Sequence, residues 1–174
     1  QEETMNKDGH ILTYILFVVA QMLLSNYFHF TPYVMLTILP VLVLFIHPKI
    51  GTVWAMFIAF GTGLAVDCFA EGLIGINAMS LVPVAFLRRP LIEAIFGNEP
   101  FELEASVSVR KYGVARVSLA VVVVLAIFMI IYTAADCAGT RPFWFIAAKC
   151  GASIAASYLL SMLIINQLTY GDRR

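Results

Sequence analysis

Residues 59–89, AFGTGLAVDCFAEGLIGINAMSLVPVAFLRR, hold two apolar runs that meet at a glycine-rich corner carrying Asp67 and Glu71, and the rest of the chain reads as membrane helices arranged around them. Ala55, Ala59 and Gly63 recur every fourth residue, which on a helix makes one smooth face, and Asp67 is the next step along that face. A carboxylate therefore ends a packing stripe.

The composition sets the solvent in which this corner works. Of 174 residues, 61% are hydrophobic and only 13% charged, with a mean hydropathy of +0.89. That balance lies outside the soluble range and reads as an all-α integral membrane protein in a single domain. The formal net charge is zero, so no basic excess points to nucleic acid, and the informative quantity is where the cations fall along the chain. Three cysteines, Cys68, Cys137 and Cys150, are too few and too scattered for a disulfide framework or a zinc cluster. The first apolar run lacks a small-residue cleavage site and is followed by more membrane-length runs, so it reads as a retained helix. Residues 1–4, ahead of Met5, read as an expression remnant.

Outward from the corner, six membrane segments are expected. The first is 11–28, whose eighteen residues at about 1.5 Å each give roughly one crossing. Gln21 and Ser25 are four apart on it and are expected to face other helices as hydrogen-bonding glue. The second is 31–47, where Thr31-Pro32 reads as a start and His47-Pro48-Lys49 as a stop. Pro40 in its middle is expected to kink it. The third is 51–69 and the fourth 73–87, short enough to leave tilting, local thinning of the bilayer and partial re-entrance all open. Arg88-Arg89-Pro90 then opens a cytoplasmic loop, 88–113, that begins with a short amphipathic piece at the interface and continues with an extended FELEASVSV stretch. The fifth segment is 114–135. The sixth is 142–168, where Ala148, Ala152 and Ala156, with Gly151 and Ala155 alongside, are expected to make it a packing hub.

Six crossings put Lys7, Lys49, Arg88, Arg89, Arg110, Lys111, Arg116, Arg173 and Arg174 on one side and leave Arg141 and Lys149 for the other. The positive-inside rule then places both termini in the cytoplasm and Asp67, Glu71 and Asp136 at the outer face. Lys149, about two turns into the sixth helix, reaches toward those acids, and Asp67 is the favoured partner. Cys68 and Cys137 share the outer side, which leaves an oxidised pair open.

No motif for metal-assisted hydrolysis, nucleophilic catalysis or phosphate cradling occurs, and His10, His29 and His47 lie apart near helix ends. The sequence gives no reason to expect an enzyme, a metal or a cofactor. Gly61, Gly63, Gly72 and Gly75 favour packing over a backbone-lined ligand site. A lone carboxylate at Asp67, without a polar path through the bilayer, is weak support for ion or proton transfer.

The G-x-G-L-x-x-D of Gly61, Gly63, Leu64 and Asp67, followed by G-L-x-G-x-N-A at 72–78 and FLRRPLIE at 86–93, resembles the rod shape-determining MreD family in its Bacteroidota-type version. The resemblance implies a non-enzymatic scaffold of the cell-elongation machinery in the bacterial inner membrane. It would bind the bitopic protein MreC and link MreB filaments to peptidoglycan synthesis by RodA and its transpeptidase partner. The family is similar in architecture to the S components of energy-coupling-factor vitamin transporters, so an S-component-like bundle is expected and a substrate-binding S component is the alternative. Against that alternative, the alanine-rich face common on the first helix of S components is absent, since 11–28 holds only Ala20. For the residues themselves, Gly61 and Gly63 are expected to permit close packing and Asp67 to anchor the outer corner. Gly72 and Gly75 would form it and Asn77 bond back across it, while Arg88 and Arg89 would fix the inner end of the fourth helix against anionic lipid.

Overall fold

The computed structural model describes residues 2–27, 35–47, 50–71, 75–97, 112–137 and 143–171, and among these every regular element is helical. The helices are α1 (Glu2–Tyr27), α2 (Leu39–Leu44), α3 (Thr52–Val66, continued by a π-helical turn over Asp67–Glu71), α4 (Ile76–Phe96), α5 (Val114–Cys137) and α6 (Phe143–Gly171). Among the described residues, three stretches are long and apolar enough to cross a membrane: Thr52–Phe69, Val114–Asp136 and Ile146–Ile165. A shorter apolar run, Leu12–Asn26, lies in α1.

The centre of the bundle is built by α4 and α5. From α4 come Leu81, Val84, Ala85 and Ile92, and from α5 Val117, Ala120, Val121, Val124, Leu125, Phe128 and Met129, all buried. Their spacing of three and four residues is that of a helix face turned inward. Both helices are apolar around most of their circumference, as expected when the solvent outside is also apolar. At one end of this core, Phe96 meets Tyr112 edge to face with ring centroids 5.0 Å apart.

Two boundaries differ from the sequence expectation. The fourth helix does not stop at Arg88-Arg89-Pro90; α4 runs through it to Phe96, with Pro83 and Pro90 inside. Its 21 residues are about 31 Å long, a full membrane thickness. The residues expected to form a separate interfacial piece, Ile92 and Phe96, are its buried last turns. A proline seven residues after another sits on nearly the same helix face, so the two lost backbone donors fall together. The extended stretch expected within 98–111 lies outside the described residues.

The second segment differs more. Helix α2 has six residues, about 9 Å, and Pro40 lies in its first turn, where a missing N–H costs nothing, not at a mid-helix kink. All six residues are buried. Residues 35–38 ahead of it are non-helical although Thr37 and Ile38 are buried at the heart of the bundle. At the other end of the chain, α1 is helical from Glu2, well ahead of residue 11.

Candidate functional site

The α3–α4 corner takes its shape from the stripe quoted first. Ala55, Ala59, Gly63 and Asp67 are all buried, so this face of α3 is in contact with protein along its whole length. At Gly63 the approach of α4 is close. A Cβ placed there would lie 2.5 Å from both the Cα and the N of Ala78 and 2.9 Å from the carbonyl carbon of Asn77. These are backbone atoms, which cannot swing aside, so only glycine lets the helices meet in this register.

One turn on, Asp67 closes the corner. Its Oδ2 accepts the backbone N–H groups of Gly75 (2.9 Å) and Ala78 (3.3 Å), and its Oδ1 accepts the Asn77 backbone N–H (3.1 Å) and side-chain Nδ2 (2.9 Å). The acceptor of α4's orphan N-terminal donors is thus a carboxylate from the preceding helix. The N-cap residue, Gly75, has no side chain for the task and sits at φ 105°. Negative charge is favoured at a helix N-terminus, which offsets part of the cost of burying Asp67 without a cationic partner among the described residues. The π-helical turn beginning at Asp67 widens the end of α3 and leaves Phe69 exposed while Asp67 is fully enclosed. The Asn77 Oδ1 is buried with no partner.

The expected corner residues therefore divide. Gly63, Asp67, Gly75 and Asn77 are brought together as anticipated, and Leu64, next to Gly63 in sequence, is half-buried. Gly61 is not part of the contact: it is exposed, and a Cβ on it would meet nothing within 4 Å. The residue faces away because it lies two positions, about 200°, from Gly63. Glu71 belongs to the π-helical turn, but its side chain, like all of Gly72, lies outside the described residues.

Lys149 does not pair with Asp67. Its Nζ donates to Asp136 Oδ2 at 2.6 Å, joining the last turn of α5 to the second turn of α6. The Asp67 oxygens are already occupied by α4, whereas Asp136 stands at the end of α5, close in sequence to the start of α6. Cys68 is an exposed free thiol, so the oxidised pair with Cys137 is not formed; the Cys137 side chain lies outside the described residues.

A second polar assembly had only one half visible in the sequence. Gln21, fully buried on α1, accepts the Ile38 N–H with Oε1 (2.8 Å) and donates from Nε2 to the Leu36 carbonyl (3.1 Å) and to Ser25 Oγ (3.0 Å). From the opposite side, Ser153 Oγ accepts the Met35 N–H at 2.9 Å and Ser157 Oγ the Thr37 N–H at 3.0 Å. Serines four apart on a helix are about 6 Å apart along its axis, close to the spacing of alternate residues on an extended chain. The non-helical stretch 35–38 is thus clamped between α1 and α6, with side chains supplying the bonds that a helix would have supplied. Gln21 and Ser25 as glue were anticipated. Ser153 and Ser157 were missed, though with Ser161 they form a four-residue polar repeat in an apolar helix, the signal that could have found them.

The same serine repeat corrects the expected packing face of α6. Ser153, Ser157, Ser161 and Ile165 are buried, while Ala148, Gly151, Ala152 and Ala155 are exposed and Ala156 half-buried. The smooth stripe points outward. The stripe is bounded by bulky exposed residues, Trp144 before it and Leu159 and Leu163 after it, whereas the outward residues of α3 include Val53, Trp54, Phe57 and Phe60, and those of α1 include Leu12, Ile15, Leu16 and Leu23.

Arg88 also departs from expectation. It is 4% exposed and donates from Nη2 to the carbonyls of Ile46 (2.6 Å) and His47 (3.1 Å), tying α4 to the chain just after α2. It faces protein where a lipid contact was expected. Arg89 is exposed and pairs with Glu93 one turn on at 3.0 Å. Two further links complete the frame. The single Thr62 hydroxyl proton goes to the Ile58 carbonyl (2.7 Å), so Tyr14 on α1 is the donor in its 3.0 Å contact with Thr62 Oγ1 on α3. Ser118 on α5 meets Tyr158 on α6 at 2.6 Å.

No protein-family model matches the chain, and neither the curated proteins nor the solved structures contain a match.

Proposed function

We propose that this chain is a non-enzymatic, multi-pass scaffold of the bacterial inner membrane, of the MreD kind. In this reading it binds MreC and couples MreB filaments to RodA and its transpeptidase partner. The observation that carries the reading is the use made of the motif residues. Gly63, Asp67, Gly75 and Asn77 are spent on holding α3 to α4, with hydrogen bonds from 2.9 to 3.3 Å, as suits a protein that acts through a fixed shape. The topology that goes with it has six crossings and both termini in the cytoplasm. Its second crossing is broken, with the non-helical 35–38 stretch and α2 together standing where one continuous helix was expected.

The scaffold reading also gains from α6. This is the membrane-length helix with the smallest share of its surface covered, and over 147–155 its open face is alanine and glycine, with Trp144 before this patch and Leu159 and Leu163 after it. Lipid is satisfied by bulky side chains; a smooth face is what a second helix needs for close approach. A single membrane-crossing helix, as a bitopic partner supplies, fits that requirement.

The broken second crossing favours one other reading, a substrate-binding S component of a vitamin transporter, because discontinuous helices often build binding sites inside membrane proteins. Here, however, the freed backbone groups at Met35, Leu36, Thr37 and Ile38 already have protein partners. The scaffold is therefore preferred. Affinity purification from native membranes tests the choice: Asp67→Ala should lower recovery of MreC and impair rod morphology on complementation while leaving insertion intact. A vitamin-loaded complex without MreC would reverse the preference.

A further inference from the structure

Pro83 and Pro90 lie inside α4, and each lacks the N–H that a helix passes to the carbonyl four residues back. The acceptors left without that donor are the carbonyls of Met79 and Phe86. Two turns of helix separate them, about 10.5 Å, and both residues lie on the side of α4 turned away from the bundle. Met79 is 62% exposed and Phe86 58%. Leu87, Pro90 and Ala94 are exposed with them, and Pro83 is half-buried in the middle of the same arc. The depth of these groups follows from the α3–α4 contact. Gly63 faces Ala78 and the two helices run antiparallel from their shared corner, so Met79 stands level with Thr62 and Phe86 with Ala55. Both levels fall within Thr52–Phe69, a stretch of membrane length.

A lipid chain offers such carbonyls no donor. The usual relief, a serine hydroxyl on the helix itself, is turned elsewhere: Ser80, next to Met79, is buried and donates to the Ile76 carbonyl at 2.8 Å. Among the described residues no side chain donates to Met79 or Phe86. A second copy presenting the same face would serve no better, since Met79, Pro83, Phe86, Leu87, Pro90 and Ala94 hold no side-chain N–H or O–H. The complement to this face is a helix that brings its own donors at the same two-turn spacing.

We propose that the proline face of α4 docks a membrane-crossing helix that carries two Ser or Thr hydroxyls seven residues apart, one for each freed carbonyl. Short hydroxyl side chains suit the task because they let two helix backbones come close enough to bond. The surface lies on α4, away from the smooth face of α6, and does not depend on which partner α6 receives.

The test reconstitutes the full chain in phosphatidylcholine vesicles with a donor fluorophore at its amino terminus. Acceptor-labelled, leucine-based membrane helices are the probes, with two positions seven apart filled by two serines, by one serine and one alanine, or by two alanines. The two-serine helix should bind the natural protein about five- to tenfold more tightly than the two-alanine helix, with the mixed helix between. Pro90→Ala, which returns a donor to the Phe86 carbonyl, should cut the preference to that of a single serine, and the variant with Pro83→Ala as well should show none. Equal affinity of the natural protein for the two-serine and two-alanine helices would overturn the proposal, a result that stands however the proline variants fold. So would a serine preference that persists in the double variant. Energy transfer between differently labelled copies of the chain, lost in Phe86→Ala and seen without binding of any probe helix, would give the face to a second copy and overturn the partner proposed.

Discussion

Gln21 takes the place of a helical turn for Ile38: its Oε1 accepts the Ile38 N–H at 2.8 Å while its Nε2 donates to the Leu36 carbonyl at 3.1 Å. One amide side chain thus satisfies two backbone groups of a non-helical stretch inside the bundle. Side-chain hydrogen bonds between membrane helices average only about 0.6 kcal/mol, because the partners find alternatives when separated. Backbone groups of a buried non-helical stretch have none in their own segment. Gln21→Leu should therefore cost about 2–4 kcal/mol in reversible unfolding, several times what Thr62→Val, which deletes the hydroxyl that Tyr14 meets, should cost.

Gly61 and Gly63 are two residues apart in one motif and should respond oppositely to the same change. Gly63→Ala forces a Cβ to 2.5 Å from Ala78 backbone atoms, and parting the two helices should cost at least about 2 kcal/mol. Gly61→Ala meets open space and should be neutral or stabilising by up to about 1 kcal/mol through helix propensity. Melting curves of the two variants in one detergent check the pair.

At the corner, Asp67→Asn exchanges a carboxylate that accepts from Gly75, Asn77 and Ala78 for an amide whose NH2 would face donors. The expected loss is about 2–3 kcal/mol. Because Asn77 Nδ2 is one of the donors at 2.9 Å, Asp67→Ala and Asn77→Ala should be non-additive by about 1 kcal/mol in a double-mutant cycle. Additive losses would mean that the side-chain bond contributes nothing.

For Lys149, a second cycle separates the observed partner from the expected one. Lys149 and Asp136, with side chains 15% and 27% exposed at 2.6 Å, should couple by about 1 kcal/mol, above the range of a fully exposed pair. Lys149 and Asp67 should add within about 0.5 kcal/mol.

How far the sequence could be read depended on how local each cause was. The corner was legible because Ala55, Ala59, Gly63 and Asp67 obey one helical period and Asn77 follows within ten residues. Arg88-Arg89-Pro90 looked like a stop, since proline and paired charges usually end a helix. Burial of Ile92 and Phe96 against the core carried α4 onward. Pro40 fits both a kink and a first turn, and what decided between them lies far off: Ser153 and Ser157, 118 and 120 residues from the backbone they hold. The faces of α6 were inverted for a related reason. Alanine and glycine were weighed as packing residues, while the serines facing the broken segment decided which side turned inward.

The most direct measurement of the scaffold account is site-specific photocrosslinking in native membranes, with the probe at Ala152 on the smooth face of α6 or at Phe57 on the bulky outer face of α3. The account predicts an MreC adduct from Ala152 and lipid adducts alone from Phe57. MreC captured equally from both positions, or from neither while a vitamin copurifies, would contradict it.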